Sequence, residues 1–335
     1  MKICIWYKTT NRPWGGSNSF LKSLATQFCK KGHVLINRPH ISADVILINS
    51  WTLGAGRLLS PKMIIDFKKY GTVAHYHKYF PFVHLFRQKE KKYLPLIHRL
   101  DGIAALYGRF DKADVIQFEI NKLTDYTIFQ SEFCRQSFLK FNVTPQNSTV
   151  IYNGVDNSIY FPAKKPKGLG QTLKALAVSW SSNPKKGFET LVNVADLSNI
   201  ELTFIGNWCN SIQPGKIKLL GVKTASEIAE VMRQNDIFIH AAENDPCPNV
   251  VLEALASGLP ILYKDSGGTT ELARNYGLPI LSDINESIEE IKDKYVDLRI
   301  KVLHDLHLFS IEYAANKYLK VLEEVKGNHT DGYFI

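Results

Sequence analysis

Two hydrophobic rhythms alternate along the chain. Apolar runs of strand length are separated by stretches in which apolar residues recur at helical spacing, the pattern of parallel strands wrapped by helices. Residues 1–7 predict a strand, and Gly15-Gly16 predicts the turn after it. Phe20, Leu21, Leu24 and Phe28 then mark one face of a helix that Gly32 stops. Residues 45–48, 94–99, 126–129 and 149–151 are further strand candidates. Together they predict one doubly wound α/β domain over residues 1–160. From residue 161 to 170 Pro, Gly and Lys replace large apolar side chains, which marks a linker. A second series follows, with strands at 173–178, 201–205, 237–240 and 260–263 and helices at 188–197, 225–233 and 249–256. It predicts a second α/β domain over residues 161–310. Ile311, Ala315, Tyr318, Leu322 and Val325 recur at helical spacing and predict a terminal amphipathic helix over 311–328.

Composition fits this reading and adds a charge asymmetry. With 335 residues and 45% hydrophobic side chains the chain suffices for two ordinary cores. Up to residue 160 there are 22 Lys and Arg against 10 Asp and Glu; beyond it the balance is 19 against 22. Basic and aromatic residues concentrate in 78–92, including Lys89, Lys91 and Lys92. That segment suits docking on an anionic membrane surface, and equally a solvated basic face that meets an anionic acceptor. Nucleic acid is the weaker partner, because no stacking or groove-reading motif accompanies the charge. The start is polar too soon for a signal peptide and no apolar run reaches membrane-spanning length. The expected location is the cytosol, at most peripheral on the inner face of the cell membrane. Five scattered cysteines without a CxxC pair fit reduced thiols, and no His/Cys cluster has metal-ligand spacing.

Candidate chemistry concentrates where strands end. Asp245-Pro-Cys-Pro-Asn249-Val250-Val-Leu-Glu253 follows a strand and opens a helix. Pro246 and Pro248 stiffen the approach, and Asn249 is placed as the N-cap. The free N–H groups of this helix start would face a diphosphate. Glu253, one turn further in, accepts hydrogen bonds from a pair of hydroxyls, while Asp245 at the strand exit reaches another part of the same ligand. Each acid taken alone reads more simply as a turn cap, for Asp245, or as an ordinary surface helix residue, for Glu253; the constellation points to a ligand site.

The whole segment resembles the acidic motif of the family 4 retaining glycosyltransferases. There a Glu, seven residues and a second Glu precede a small-residue helix ending in Gly-x-Pro. Here Asp245 stands at the first acidic position and Glu253 at the second, followed by Ala254-Leu-Ala-Ser-Gly258-Leu-Pro260. The resemblance implies the GT-B fold: two Rossmann-like doubly wound domains facing a central cleft, with the last helix crossing back onto the first domain. It implies transfer of a sugar from a nucleotide-diphosphate donor to a glycan or lipid-linked acceptor with retention, in bacterial cell-surface polysaccharide or lipopolysaccharide biosynthesis, with no cofactor and no metal. Glu253 would then bind the donor ribose and Asp245 the transferred sugar, beside Asn249 and Val250.

The resemblance extends further. Lys185-Lys186-Gly187 is similar to a family Lys-Gly pair that offers positive charge to the departing diphosphate, with Lys186 as the cation and Lys185 its neighbour. An arginine six residues earlier is replaced by Trp180, so Ser181, Ser182 or Asn183 would share that task. Gly267, Gly268 and Glu271 resemble a turn where backbone approaches phosphate or sugar; a plain helix-start turn is the alternative. Gly15 and Gly16 match a loop where donor and acceptor approach the backbone. Asn153-Gly154-Val-Asp156 followed by Phe161-Pro162 is like the segment leading out of the first domain. Asp101 stands where the family often carries a histidine. It either orients an acceptor hydroxyl and stabilises charge on the sugar, or bonds to Arg99 or its turn. Two other readings of the scaffold stay open: a nucleotide-sugar epimerase or phosphorylase, and a non-catalytic nucleotide- or glycan-binding subunit.

Overall fold

A computed structural model describes residues 1–10, 15–71, 94–110, 112–164 and 168–330. The basic segment 78–92 and the Pro13-Trp14 pair ahead of the first glycines lie outside the described residues. The chain divides into two compact units: Met1–Tyr152 with Ala315–Ile335, and Asn153–Ala314.

The first unit contains β1 (Lys2–Ile5), α1 (Gly15–Lys30), β2 (Val34–Ile36), β3 (Val45–Asn49), the antiparallel ribbon β4 (Thr52–Gly54) and β5 (Arg57–Leu58), and α2 (Pro61–Tyr70). It continues through β6 (Leu96–Leu100), α3 (Ala113–Asn121), β7 (Tyr126–Phe129), α4 (Glu132–Lys140) and β8 (Ser148–Val150). Its main sheet has the order β2-β1-β3-β6-β7-β8 with every pairing parallel. Both faces of such a sheet are covered, which is why β3 and β6 are buried along their whole length. Phe20, Leu21, Leu24 and Phe28 of α1 are all buried, and Gly32 ends that turn at φ 82°. The glycine pair lies differently from the expected turn: Gly15 and Gly16 open α1 itself. In a first helical turn N–H groups have no intrahelical acceptor, and both glycines stand in that turn.

The second unit contains β9 (Leu173–Ser179), α5 (Phe188–Ala195), β10 (Ile200–Gly206), β11 (Lys218–Leu219), α6 (Ala225–Met232), β12 (Ile237–His240), α7 (Asn249–Ala256) and β13 (Ile261–Tyr263). α8 (Thr269–Ala273), β14 (Gly277–Pro279), α9 (Ile284–Asp293) and α10 (Tyr295–His304) follow. The sheet order is β11-β10-β9-β12-β13-β14, again parallel throughout. Period-two alternation sends neighbouring strand residues to opposite faces. Leu176, Phe238 and Ile261 join Val251, Leu252 and Leu255 of α7 in one core, whereas Ala175, Ile237, Ile239 and Leu262 join Phe188 and Leu191 of α5 in the other. α6 begins with a complete capping box between Thr224 and Glu227.

The last helix, α11 (Ile311–Thr330), starts in the second unit and belongs to the first from Ala315 onward. Its Tyr318 is fully buried, with its ring 5.8 Å from that of Phe20 in α1. All five cysteines are free. Among the described residues no helix is long and apolar enough to cross a membrane.

Candidate functional site

In the second unit β9 lies between β10 on one side and β12 on the other, so the chain reverses its direction of sheet growth at β9/β12. Loops leaving the carboxyl ends of such neighbouring strands separate and leave room for a ligand. The loop after β9 carries Lys186 and the loop after β12 carries Asp245. Lys186 Nζ donates to Asp245 Oδ2 at 2.8 Å. The two side chains are 21% and 15% exposed, close enough to solvent for a ligand to reach both. A backbone bond from Glu243 N–H to Lys185 O, 2.8 Å, ties the same loops together.

Glycines make this approach possible. Gly187 has φ +79°, and a Cβ on it would stand 2.2 Å from Ala241 O. Gly267 has φ +68°, and a Cβ there would meet Asp245 O at 2.5 Å. Gly268 N–H donates to Asp245 O at 2.8 Å and Asn244 N–H to Ser266 Oγ at 3.0 Å. Gly267-Gly268 therefore packs against the backbone of the acidic loop. Glu271 follows in the first turn of the short helix α8 and is half-buried.

The charges are balanced locally. Burial pushes the Asp245 carboxyl up, but the Lys186 ammonium and a hydrogen bond from the Cys247 N–H win and hold it below its ordinary value. His240, buried at the end of β12, is pushed down to about 4 by burial. Its Nε2 has no hydrogen-bond partner among the described residues. His240 lies within electrostatic reach of both Lys186 and Asp245.

Glu253 projects from α7 and is pushed up to about 7 by burial, against a hydrogen bond from the Tyr160 hydroxyl. Asn249 does not cap this helix as the sequence suggested. Pro248 occupies the cap position without a side-chain bond. Asn249, already the first helical residue, instead accepts at Oδ1 from Asn153 Nδ2 at 2.8 Å. Asn249 and Val250, both half-buried, are thus the first helical residues and carry first-turn N–H groups.

On the β9 side, Ser181 Oγ accepts from Asn183 N–H at 3.2 Å and Asn183 Oδ1 from Lys185 N–H at 3.0 Å. Both side chains shape the turn that presents Lys186. Trp180 is 47% exposed beside them. Tyr160 and His240 were not singled out from the sequence. Neither belongs to a spaced motif; His240 ends the strand that leads into Asp245, whereas only the packing of distant segments brings Tyr160 to Glu253.

In the first unit Asp101 follows β6, where it accepts from Arg99 NH1 at 2.8 Å, Gln130 Nε2 at 2.8 Å and Ser17 Oγ at 3.1 Å. Arg99 is fully buried; its guanidinium also donates to Asn49 Oδ1 and lies 4.7 Å above the Phe20 ring. Of the two readings left open, the bond to Arg99 is present, and 28% exposure leaves part of the Asp101 side chain accessible. Ser17 belongs to the first turn of α1, so Asp101 and the Gly15-Gly16 helix start adjoin within this unit.

Among the described residues no group of three or more His, Cys, Asp or Glu is placed to hold a metal ion.

Residues 163–301 match the family model "Glycosyl transferases group 1". A GDP-mannose-dependent alpha-mannosyltransferase of Mycobacterium tuberculosis (strain CDC 1551 / Oshkosh) is 28% identical over 120 residues, 34% of this chain and 32% of the relative. The match thus spans about a third of that relative's length. Among solved structures, sucrose-phosphate synthase from Thermosynechococcus elongatus superposes with a TM-score of 0.66 at 14% identity, over 98% of this chain and 100% of that one. HepE of Anabaena, solved in complex with UDP, gives 0.66 at 15% identity, over 97% and 100%. Residues 163–301 therefore carry a Glycosyl transferases group 1 domain, within an α/β architecture of two parallel-sheet, Rossmann-like units that matches GT-B glycosyltransferase structures.

Proposed function

We propose that this protein is a glycosyltransferase that moves a sugar from a nucleotide-diphosphate donor to a glycan or lipid-linked acceptor with retention of anomeric configuration. The observation that carries the proposal is the set of Lys186, Asp245 and Glu253 around the β9/β12 switch point. Lys186 supplies positive charge for the departing diphosphate, aided by the first N–H groups of α7 at Asn249 and Val250. Asp245, kept ionised by Lys186, accepts from hydroxyls of the transferred sugar and favours an oxocarbenium-like centre. Glu253 accepts from the vicinal hydroxyls of the donor ribose. Ser181, Asn183, Lys185 and the Gly267-Gly268-Glu271 turn complete the donor side.

The acceptor hydroxyl attacks the anomeric carbon from the face that the diphosphate leaves. The carbon–oxygen bond to phosphate breaks as the new one forms, and a phosphate oxygen takes the acceptor's proton. No metal enters this scheme. In the first unit Asp101 orients an acceptor hydroxyl, and the first turn of α1 at Gly15 and Gly16 meets the substrate. The basic first unit favours an anionic, lipid-linked acceptor at the inner face of the membrane and a role in cell-surface polysaccharide or lipopolysaccharide assembly. The mannosyltransferase relative supports sugar transfer, and the UDP bound by HepE supports a nucleotide site on this scaffold.

The test uses purified protein with radiolabelled UDP, GDP and ADP sugars. Slow release of free sugar from one donor is expected without acceptor. Glu253→Ala should abolish donor binding, whereas Asp245→Glu should retain binding and change rate or sugar preference. Absence of sugar release from any donor, with nucleotide still bound, would favour a non-catalytic binding subunit.

A further inference from the structure

Glu253 has its partner in a segment that the sequence treats as a mere connection. After the parallel bridge between Val155 and Ser310, the chain folds into a tight turn around Asp156. Ser158 N–H and Oγ donate to Asp156 Oδ1 at 2.9 and 2.6 Å, while Ile159 and Tyr160 N–H donate to Asp156 O at 3.0 and 2.9 Å. This turn delivers the Tyr160 ring into the core that also contains Leu252 and Leu255 of α7. The ring is 6% exposed and its hydroxyl donates to Glu253.

A phenol in that position changes what the carboxylate does. Glu253 alone on a helix samples several rotamers, and an aliphatic or phenyl neighbour would leave its choice to the ligand. A fixed donor selects one arrangement and occupies one of the roughly four acceptor sites of the carboxylate. The remaining sites stay available for a pair of hydroxyls. The same bond opposes the upward push of burial on Glu253 and so keeps more of the acceptor form near neutral pH.

We infer that Tyr160 is a positioning residue for Glu253, which it aligns to accept the vicinal diol of a ribonucleoside diphosphate, and that it thereby sets the preference for ribo- over deoxyribonucleotides. The inference rests on the proposed role of Glu253 as the ribose ligand. Tyr160 touches no reacting atom, and its effect passes through the carboxylate.

Tyr160→Phe keeps the ring in the core and removes only the donor. Calorimetric titration of the full chain with UDP, GDP and ADP and their 2′-deoxy forms, from pH 6 to 9, reads the consequence. For whichever base binds, the wild type should prefer the ribo form. Tyr160→Phe should reduce that preference about 5- to 10-fold, on the order of one net hydrogen bond. Ribonucleotide affinity of the variant should recover as the pH is raised, because Glu253 without its donor holds its proton to higher pH. An unchanged preference together with an unchanged pH profile would overturn the inference. Glu253→Gln, alone and combined with Tyr160→Phe, separates the two levels of the argument. If Glu253→Gln itself leaves the ribo preference intact, the ribose role of Glu253 fails. If it removes the preference and Tyr160→Phe has no effect, only the positioning role fails. Strictly additive effects of the two substitutions on ribonucleotide binding would also reject it, since a residue acting through Glu253 has nothing left to position in the Gln background.

Discussion

Each unit ends a central parallel strand in an acid–cation pair, and the two pairs are built for different purposes. In the first, Arg99 near the end of β6 and Asp101 just after it sit two residues apart, the cation is 0% exposed and the ion contact is 2.8 Å. Asn49, Gln130 and Ser17 complete its surroundings. In the second, Lys186 and Asp245 come from different loops 59 residues apart, also 2.8 Å from each other, and both remain partly open to solvent. The first pair is locked by a buried guanidinium that no ligand can reach. The second has an ammonium on a long aliphatic stem that is itself 21% exposed and within reach of solvent. Similar distances therefore hide different capacities. Burial of the cation, not the length of the bond, separates a structural pair from one that can exchange partners.

The sharpest way to break this contrast is to remove the two cations. Arg99→Met should cost about 3 to 5 kcal/mol of stability, since it leaves Asp101 and Asn49 without their buried donor. Urea unfolding measures that loss. Lys186→Ala should cost less, about 1 to 2 kcal/mol, because the ammonium it removes is partly exposed and Asp245 keeps its bond from the Cys247 N–H. Nucleoside-diphosphate binding, by contrast, should fall steeply. Comparable destabilisation by both substitutions would show that the pairs do the same work.

Two glycines probe the backbone in the same spirit. Gly187→Ala forces a left-handed residue against Ala241 O, and should cost more than the about 1 to 2 kcal/mol of the conformation alone. It should also weaken donor binding by displacing Lys186. Gly32→Ala meets the same backbone demand at φ +82° but has nothing within 4 Å of the added carbon. It should cost only about 1 to 2 kcal/mol and leave binding alone. Equal binding losses in the two variants would mean that Gly187 is not specific to the site.

The smallest expected effect is in the dependence of stability on pH. His98 and His240 are both pushed down to about 4 by burial, from an ordinary value of 6.5. Each contribution is intact above 6.5 and is lost as the pH falls toward 4. Glu253, pushed up from 4.5 to about 7, works in the opposite sense, with its contribution present below 4.5 and lost as the pH rises toward 7. In the second unit the slopes of His240 and Glu253 therefore oppose each other between pH 4.5 and 6.5. Glu253→Gln should make that unit gain stability on going from pH 5 to 7, relative to wild type, and leave the first unit unchanged. Hydrogen exchange resolved by unit checks both halves, and an equal shift in the two units would contradict the assignment.

Much of the second unit could be read directly from the chain. The strand at Ile237–His240 and the helix at Asn249–Ala256 fall where the hydrophobic periods place them. A short apolar run and a helix flanked by Pro248 and Gly258 are local signals. The short edge strand Val34–Ile36 and the ribbon at Thr52–Leu58 were not legible, because two or three residues carry no measurable period and their pairing depends on neighbours far away in sequence. The position of Gly15-Gly16 inside α1 was missed for a related reason, since glycine is a turn signal and is also tolerated in the first helical turn.

By itself the sequence determined the two α/β series and the linker composition, which are local patterns of spacing, and through a family resemblance it singled out Lys186, Asp245 and Glu253 as candidates. Only the tertiary structure decided which groups meet. The strand order brings Lys186 to Asp245, the turn around Asp156 brings Tyr160 to Glu253, and the side chain of Asn153 meets that of Asn249. The physical reason is that a hydrogen bond is set by distance in space, and in a parallel sheet neighbouring strands are separated by whole crossovers of chain.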